Sequence, residues 1–434
     1  MNWLRRVRGG ENGKLFGNFG WLMFDRVGRM MINLVVGVAV ARHLGPADFG
    51  VLSFATALTS IFAVLVGLGF DEILVRDLVR ERQSSGAWKA AWQLRLAVSS
   101  AAYVGALFAT CLWRSDSPRA WGVVAIVAAG LLFAPADLME LWFQARCKMR
   151  PPAVARQLAL WIAGAWRLVL VAIGAHLNAF AAASVIEAAL VAIALTWAFT
   201  REQRGSLLAV ATSLERRRLL REGWPMLASG LLVMITMQAD RLLLSRYAGD
   251  AVVGIYAVAA RVTEVFYAVP LALGAAVMPQ LAALRMSDET GYWKLARQVF
   301  LGLAAAGIVL SALISGLAFY LVPLVFGERY TPAVHILAIH VWSLTFVFLV
   351  SIRSRLLVIE AGTRWVLIMS LLTALIDVAG NFVLIPRYGG VGAAWTTVIA
   401  WAFSALVAPW LFLKTRELTR RTLTGVGTAS CEVR

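Results

Sequence analysis

Residues 41–59 read ARHLGPADFGVLSFATALT, and residues 245–263 read SRYAGDAVVGIYAVAARVT. The two align without a gap, with identities at Arg42/Arg246, Gly45/Gly249, Ala47/Ala251, Gly50/Gly254, Ala55/Ala259 and Thr59/Thr263. In each copy a long apolar segment ends in a short polar turn that opens the next. The offset of 204 residues lays the seventh apolar segment on the first and the eighth on the second. Six segments separate the copies, so both halves enter a membrane in the same direction. Parallel repeats of this kind are related by an axis along the membrane normal, and their ligands sit between the halves near mid-depth. The competing reading is chance likeness between Ala/Gly-rich helices.

The whole chain fits that frame. Of its 434 residues, 60% are hydrophobic and 15% charged, and the mean hydropathy is +0.76. A water-facing surface on a soluble domain takes about 25% charge. Apolar segments fall near 16–41, 49–70, 94–113, 120–142, 158–175, 180–200, 224–244, 252–280, 299–326, 333–352, 365–386 and 392–413. Each is long enough to cross roughly 30 Å of hydrocarbon as a helix, and lipid requires that backbone groups be satisfied within the segment. The 17 tryptophans suit the membrane interfaces. The expected fold is an all-α integral membrane protein of about 12 transmembrane helices in two parallel six-helix bundles. The bundles occupy 1–200 and 223–413, joined by a basic linker at 201–222 and followed by a tail at 414–434. The opening MNWLRRVRGG is basic like a signal peptide, but Asp25, Arg26 and Arg29 interrupt the apolar run behind it. We expect a retained first helix.

The net charge of +17 could suggest nucleic acid, but its distribution points to membrane topology and no nucleic-acid partner is expected. Connectors on one side of the expected spans carry 29 Lys and Arg, those on the other side 6. The positive-inside rule then puts both termini in the cytoplasm. The three cysteines, Cys111 in a span and Cys147 and Cys431 in basic segments, form neither a disulfide framework nor a metal motif.

An ionisable side chain at mid-span costs roughly 2.5–3.5 kcal/mol, so it normally faces a cavity or a partner. The deep ones are Asp25, Arg26, Arg29, Arg167, Glu187, Arg261, Glu264 and Asp377. Asp137, Glu140, Asp240 and Arg241 lie nearer helix ends, within snorkelling reach of water. In the first span Asn18, Asp25, Arg26, Arg29 and Asn33 share an arc of about 100°, which reads as the lining of a polar cavity. An Asp25–Arg29 pair at i,i+4 is the alternative, and it leaves Arg26 unexplained. Arg261 and Glu264 stand at i,i+3 with Tyr267 nearby, as a salt pair or as a site. Arg167 lacks a local acid, and Glu187 and Asp377 lack a local base, so pairing across helices is expected. His340 reads as an ordinary polar position. Several arginines around one cavity suit a phosphate-bearing cargo, since guanidinium matches phosphate oxygens bidentately. No phosphate-binding Gly-Lys loop, metal cluster or nucleophile elbow is present in the sequence. A transporter without a cofactor is therefore expected, rather than an enzyme.

ARHLGPADFGVLSFATAL, then VGLGFDEILVRDLVRE, and ADRLLLSRYAGDAVVGIYAVAARVTEVF in the second half resemble the polysaccharide flippases of the multidrug/oligosaccharidyl-lipid/polysaccharide superfamily. The resemblance extends loosely over the whole chain, and two six-helix halves are the family plan. It implies a flippase for an undecaprenyl-pyrophosphate-linked oligosaccharide in a bacterial cytoplasmic (inner) membrane, of the O-antigen, capsule or exopolysaccharide type. Transport would be ion-driven through a lumen that opens alternately to either side. Arg26, Arg29, Arg261 and Arg167 become head-group contacts, and Asp25 or Glu264 the titrating carboxyl. Membrane lipids, a polysaccharide polymerase and chain-length machinery are the implied partners. A drug or metabolite exporter of the same superfamily and a non-transporting scaffold for glycan assembly are the alternatives.

Overall fold

A computed structural model describes residues 11–80, 85–202, 212–360 and 362–425. Among the described residues there is no strand, and ten helical stretches are long and apolar enough to cross a membrane. Two of the ten are each broken by a glycine. Helix α1 (Glu11–Gly67) breaks at Gly45, with φ 74° and ψ 173°, and Pro46 starts the next helical turn. A long helix near the C-terminal end (Thr363–Ala402) breaks at Gly389, with φ 54° and ψ −131°. A Cβ disfavours such dihedrals, which is why glycine occupies both positions. Each broken stretch holds two expected spans, so ten stretches accommodate about twelve crossings.

The chain divides into two compact units, Met1–Met234 and Ile235–Arg434. Unit 1 contains α1, a short amphipathic helix α2 (Asp71–Arg80) and α3 (Ser85–Trp113). Its fourth span is interrupted. α4 (Pro118–Ala128) passes into a 3₁₀ segment at Ala129–Asp137 that contains Pro135, and α5 (Leu138–Ala145) resumes beyond it. α6 (Arg150–Ala172) and α7 (Leu177–Glu202) follow. The unit boundary falls inside α8 (Ser213–Tyr247), so residues 213–222 of the expected linker are the first turns of a helix.

Unit 2 continues with α9 (Asp250–Val265), α10 (Ala268–Ser287) and α11 (Glu289–Phe326). Its span 333–352 is interrupted as well: α12 (Ala333–His340) and α13 (Ser343–Ile359) meet at a turn. The Gly389-broken helix is α14, and α15 (Leu413–Thr424) is a basic helix after it. Between them lie a π-helical segment at Phe403–Val407 and a 3₁₀ turn at Ala408–Trp410. Arg353 is buried and donates to the Ala405 carbonyl at 2.8 Å and to the Ser404 carbonyl, satisfying oxygens at the distorted turn.

The repeat in the sequence has a backbone counterpart. Gly249, aligned with Gly45, has φ 84° and ψ 168°, and it caps the start of α9. Each unit seats this turn against the turn of its own fifth and sixth spans. In unit 1 His43 Nε2 lies 2.9 Å from the Ala175 carbonyl. In unit 2 the Cβ position at Gly389 faces Ala248 and Val252, 3.9 Å from each. Small residues let helices approach, as where Gly164 of α6 meets Ile32 and Val36 of α1. Large apolar side chains such as Val104, Phe108 and Leu112 on one face of α3 point outward, as lipid contact requires.

Candidate functional site

Unit 1 has an open-sided cavity of about 420 Å³ beside the 3₁₀ interruption of its fourth span. One wall is the second half of α1, with the hydroxyls of Thr56, Thr59 and Ser60. The interruption contributes Gly130, Phe133 and Asp137, while α6 and α7 bring Arg156, Arg167, Ser184 and Glu187. Arg167 Nη1 stands 2.6 Å from Glu187 Oε2, and its Nη2 donates to Ser184 Oγ at 3.2 Å. Arg156 Nη2 lies 2.7 Å from Asp137 Oδ1 and 2.5 Å from Glu140 Oε2. The lining thus holds two guanidiniums and two carboxylates, matched pair by pair. Thr59 Oγ1 is buried with no hydrogen-bond partner.

In unit 2 a second polar cluster forms where α8, α9, α12 and α14 contribute side chains. Asp240 is 8% exposed and accepts a hydrogen bond from the fully buried Tyr256 hydroxyl. Thr397 Oγ1 lies 3.5 Å from that hydroxyl. Arg241 Nη2 is 2.6 Å from Glu264 Oε1, and its Nη1 donates to Gln238 Oε1 at 2.7 Å. His340, at the interruption of its span, places Nδ1 3.0 Å from Thr263 Oγ1. Asp377 is 3% exposed and accepts from Asn381 Nδ2 at 3.3 Å. Asn381 Oδ1 is itself buried without a hydrogen-bond partner. Among the described residues no group of three or more His, Cys, Asp or Glu is arranged to hold a metal ion.

The residues singled out from sequence fare unequally. Arg167 and Glu187 meet across helices, as the absence of local counter-charges required. Glu264 meets the Arg241 guanidinium from the neighbouring helix, and Arg261 is half-buried on α9. The side chains of Asp25, Arg26 and Arg29 lie outside the described residues; their backbone runs within α1. Cys431 lies outside them too. Asp240 is buried rather than snorkelling, because Tyr256 covers it. Arg156 escaped attention because 143–157 reads as a connector. α6 already starts at Arg150, with prolines in its first turn, and so carries Arg156 into the cavity wall. The signal was the pair Asp137 and Glu140 at i,i+3, which lacks a base of its own.

Interrupted spans in corresponding halves are a pointer to the binding region of a transporter, and both polar clusters sit at such interruptions. A family model described as a polysaccharide biosynthesis protein matches residues 15–285. No curated protein matches the sequence. Among solved structures the chain is similar to the lipid II flippase MurJ in an inward closed conformation. The TM-score is 0.70 at 13% identity, with 94% of this chain and 90% of that one covered. It is also similar to an inward-facing multidrug resistance MATE family transporter of the MOP superfamily, with a TM-score of 0.68 at 16% identity, covering 93% and 96%. A MOP superfamily transporter from Pyrococcus furiosus gives 0.52 at 15% identity, covering 94% of each chain. At such identities these likenesses show the fold alone.

Proposed function

Because the chain belongs to the polysaccharide biosynthesis protein family and has the fold of MOP-type transporters, we propose that it flips an undecaprenyl-pyrophosphate-linked oligosaccharide repeat unit. The cargo moves from the cytoplasmic to the outer leaflet of a bacterial inner membrane, for O-antigen, capsule or exopolysaccharide assembly. The observation that carries this reading is the charged, hydrogen-bonded cluster at an interrupted span in each unit. A hydrophobic cargo would have no use for such groups, whose burial is costly. Arg26, Arg29 and Arg261 take the pyrophosphate, since guanidinium matches its oxygens bidentately. Arg167, a head-group contact expected from sequence, has its charge met by Glu187 and is left out of the pyrophosphate set. The 1–200 and 223–413 bundles move as alternating-access partners about the 201–222 segment, and the polyprenyl tail stays in lipid. A polymerase and chain-length machinery then consume the product outside.

Ion coupling is assigned to unit 2. Asp240 and Asp377 are buried carboxylates, and Asn381 Oδ1 and the Thr397 hydroxyl add neutral oxygens. Oxygen donors of this kind suit a hard monovalent cation or an exchanging proton. Of the coupling carboxyls expected from sequence, Glu264 stands in unit 2 but is charge-matched by Arg241, and Asp25 belongs to unit 1; both give way here to Asp240 and Asp377.

The experiment is the fate of lipid-linked repeat units in a strain lacking the protein. They should accumulate, inaccessible from outside, and surface glycan should disappear until the wild-type chain is restored. Normal surface glycan with altered susceptibility to toxic compounds would replace this reading with drug or metabolite export.

A further inference from the structure

We infer that the unit 1 cavity is the glycan-recognition subsite of the cargo, selecting the uncharged sugar and not the pyrophosphate. The inference rests on the flippase reading. It starts from the charge balance of the cavity. A phosphate site needs cationic donors whose charge is unspent. Here Arg156 is held by Asp137 and Glu140, and Arg167 by Glu187 and Ser184. An incoming phosphate would have to displace a carboxylate from each guanidinium and then sit beside that acid's like charge, which is unfavourable. A neutral ligand displaces nothing. Arg–carboxylate pairs present donors and acceptors side by side, the pattern that adjacent sugar hydroxyls match in both roles.

The uncharged lining residues strengthen the assignment. Thr56 and Ser60 spend their hydroxyl protons on backbone carbonyls of α1, and each oxygen retains accepting capacity. Thr56 is exposed at the cavity, whereas Thr59 Oγ1 is shielded within the wall. The exposed ring of Phe133 supplies an apolar face for the non-hydroxylated side of a pyranose. The volume, about 420 Å³, falls in the range of small-molecule sites.

Two substitutions test this without touching a charge. Thr56→Val removes an exposed hydroxyl of the cavity lining at nearly constant volume, and Ala63→Phe fills space in the cavity. The full chain in nanodiscs is titrated, by its tryptophan fluorescence, with two probes. One is the lipid-linked glycan extracted from the strain lacking the protein; the other is undecaprenyl pyrophosphate bearing no sugar. Wild type should prefer the glycan-bearing probe. Thr56→Val should weaken that probe about five-fold, the ratio one neutral hydrogen bond carries. Ala63→Phe should weaken it more, and neither variant should change binding of the sugar-free probe. Parallel weakening of both probes, or no effect on either, overturns the glycan subsite while the flippase reading stands. If no lipid-linked glycan accumulates in the strain, the flippase reading falls and takes this inference with it.

Discussion

At the scale of single residues, what decides a role is whether a buried charge is matched, and by what. That Arg167 and Glu187 each call for a partner on another helix was legible, because each lacked a local counter-charge and lipid makes solitude costly, but not that they meet one another. Asp240 was not legible: its distance from the helix end suggested snorkelling, and only the fold brings the Tyr256 hydroxyl over it. Asp377 and Asn381 stand four residues apart on one helix, yet nothing in the sequence brings them together with Asp240 and Thr397. Their grouping implies a prediction. Asp240→Asn and Asp377→Asn should each abolish the dependence of transport on an ion gradient in proteoliposomes while preserving insertion and cargo binding. Tyr256→Phe removes a hydrogen bond worth about 1 kcal/mol of stability and should leave the dependence intact. Transport by both Asn variants that still follows the gradient would remove the coupling site from unit 2.

At the scale of elements, the sequence shows where spans begin and end but not how they break. Hydropathy averages over 3₁₀ and π turns, so the interruptions at 129–137 and 403–407 and the turn between α12 and α13 leave no trace in it. Glycine is the exception, since a positive φ selects it. Gly249 has φ 84° with nothing within 4 Å of its Cβ position, so Gly249→Ala carries backbone strain alone, about 1–2 kcal/mol. Gly69 also has a positive φ, 68°, and its Cβ position runs into the α8 backbone at Gly223 and Leu227. That approach seats the α1–α2 turn on α8, beside ion pairs that join Asp77 to Arg218 and Arg76 to Glu222 at 3.0 Å. Gly69→Ala should therefore lower the unfolding temperature in detergent clearly more than Gly249→Ala does. Equal shifts for the two would mean that the close approach adds nothing beyond the backbone strain.

At the scale of the whole molecule, two quantities of different origin must agree. The distribution of Lys and Arg, 29 against 6, presupposes a membrane crossing on each side of every short turn. The described residues supply ten long apolar stretches, and these reach twelve crossings only if Gly45 and Gly389 each send the chain back. The sparsely basic turns at 42–48 and 387–391 hold one such residue each, as extracytoplasmic turns should. If either break were a bend within a single crossing, its turn would lie inside the bilayer and every later connector would change sides. Alkaline phosphatase fused within 42–48, 114–119 or 387–391 should accordingly be active, and fusions within 201–222 or after residue 425 inactive. Activity at one end of α14 and not the other, in 353–364 against positions after residue 425, would reduce α14 to one crossing. A full reversal of the pattern would turn the chain over in the membrane. The basic connectors would then face outward, and cargo loading from the cytoplasm would have to begin at the opposite ends of the spans.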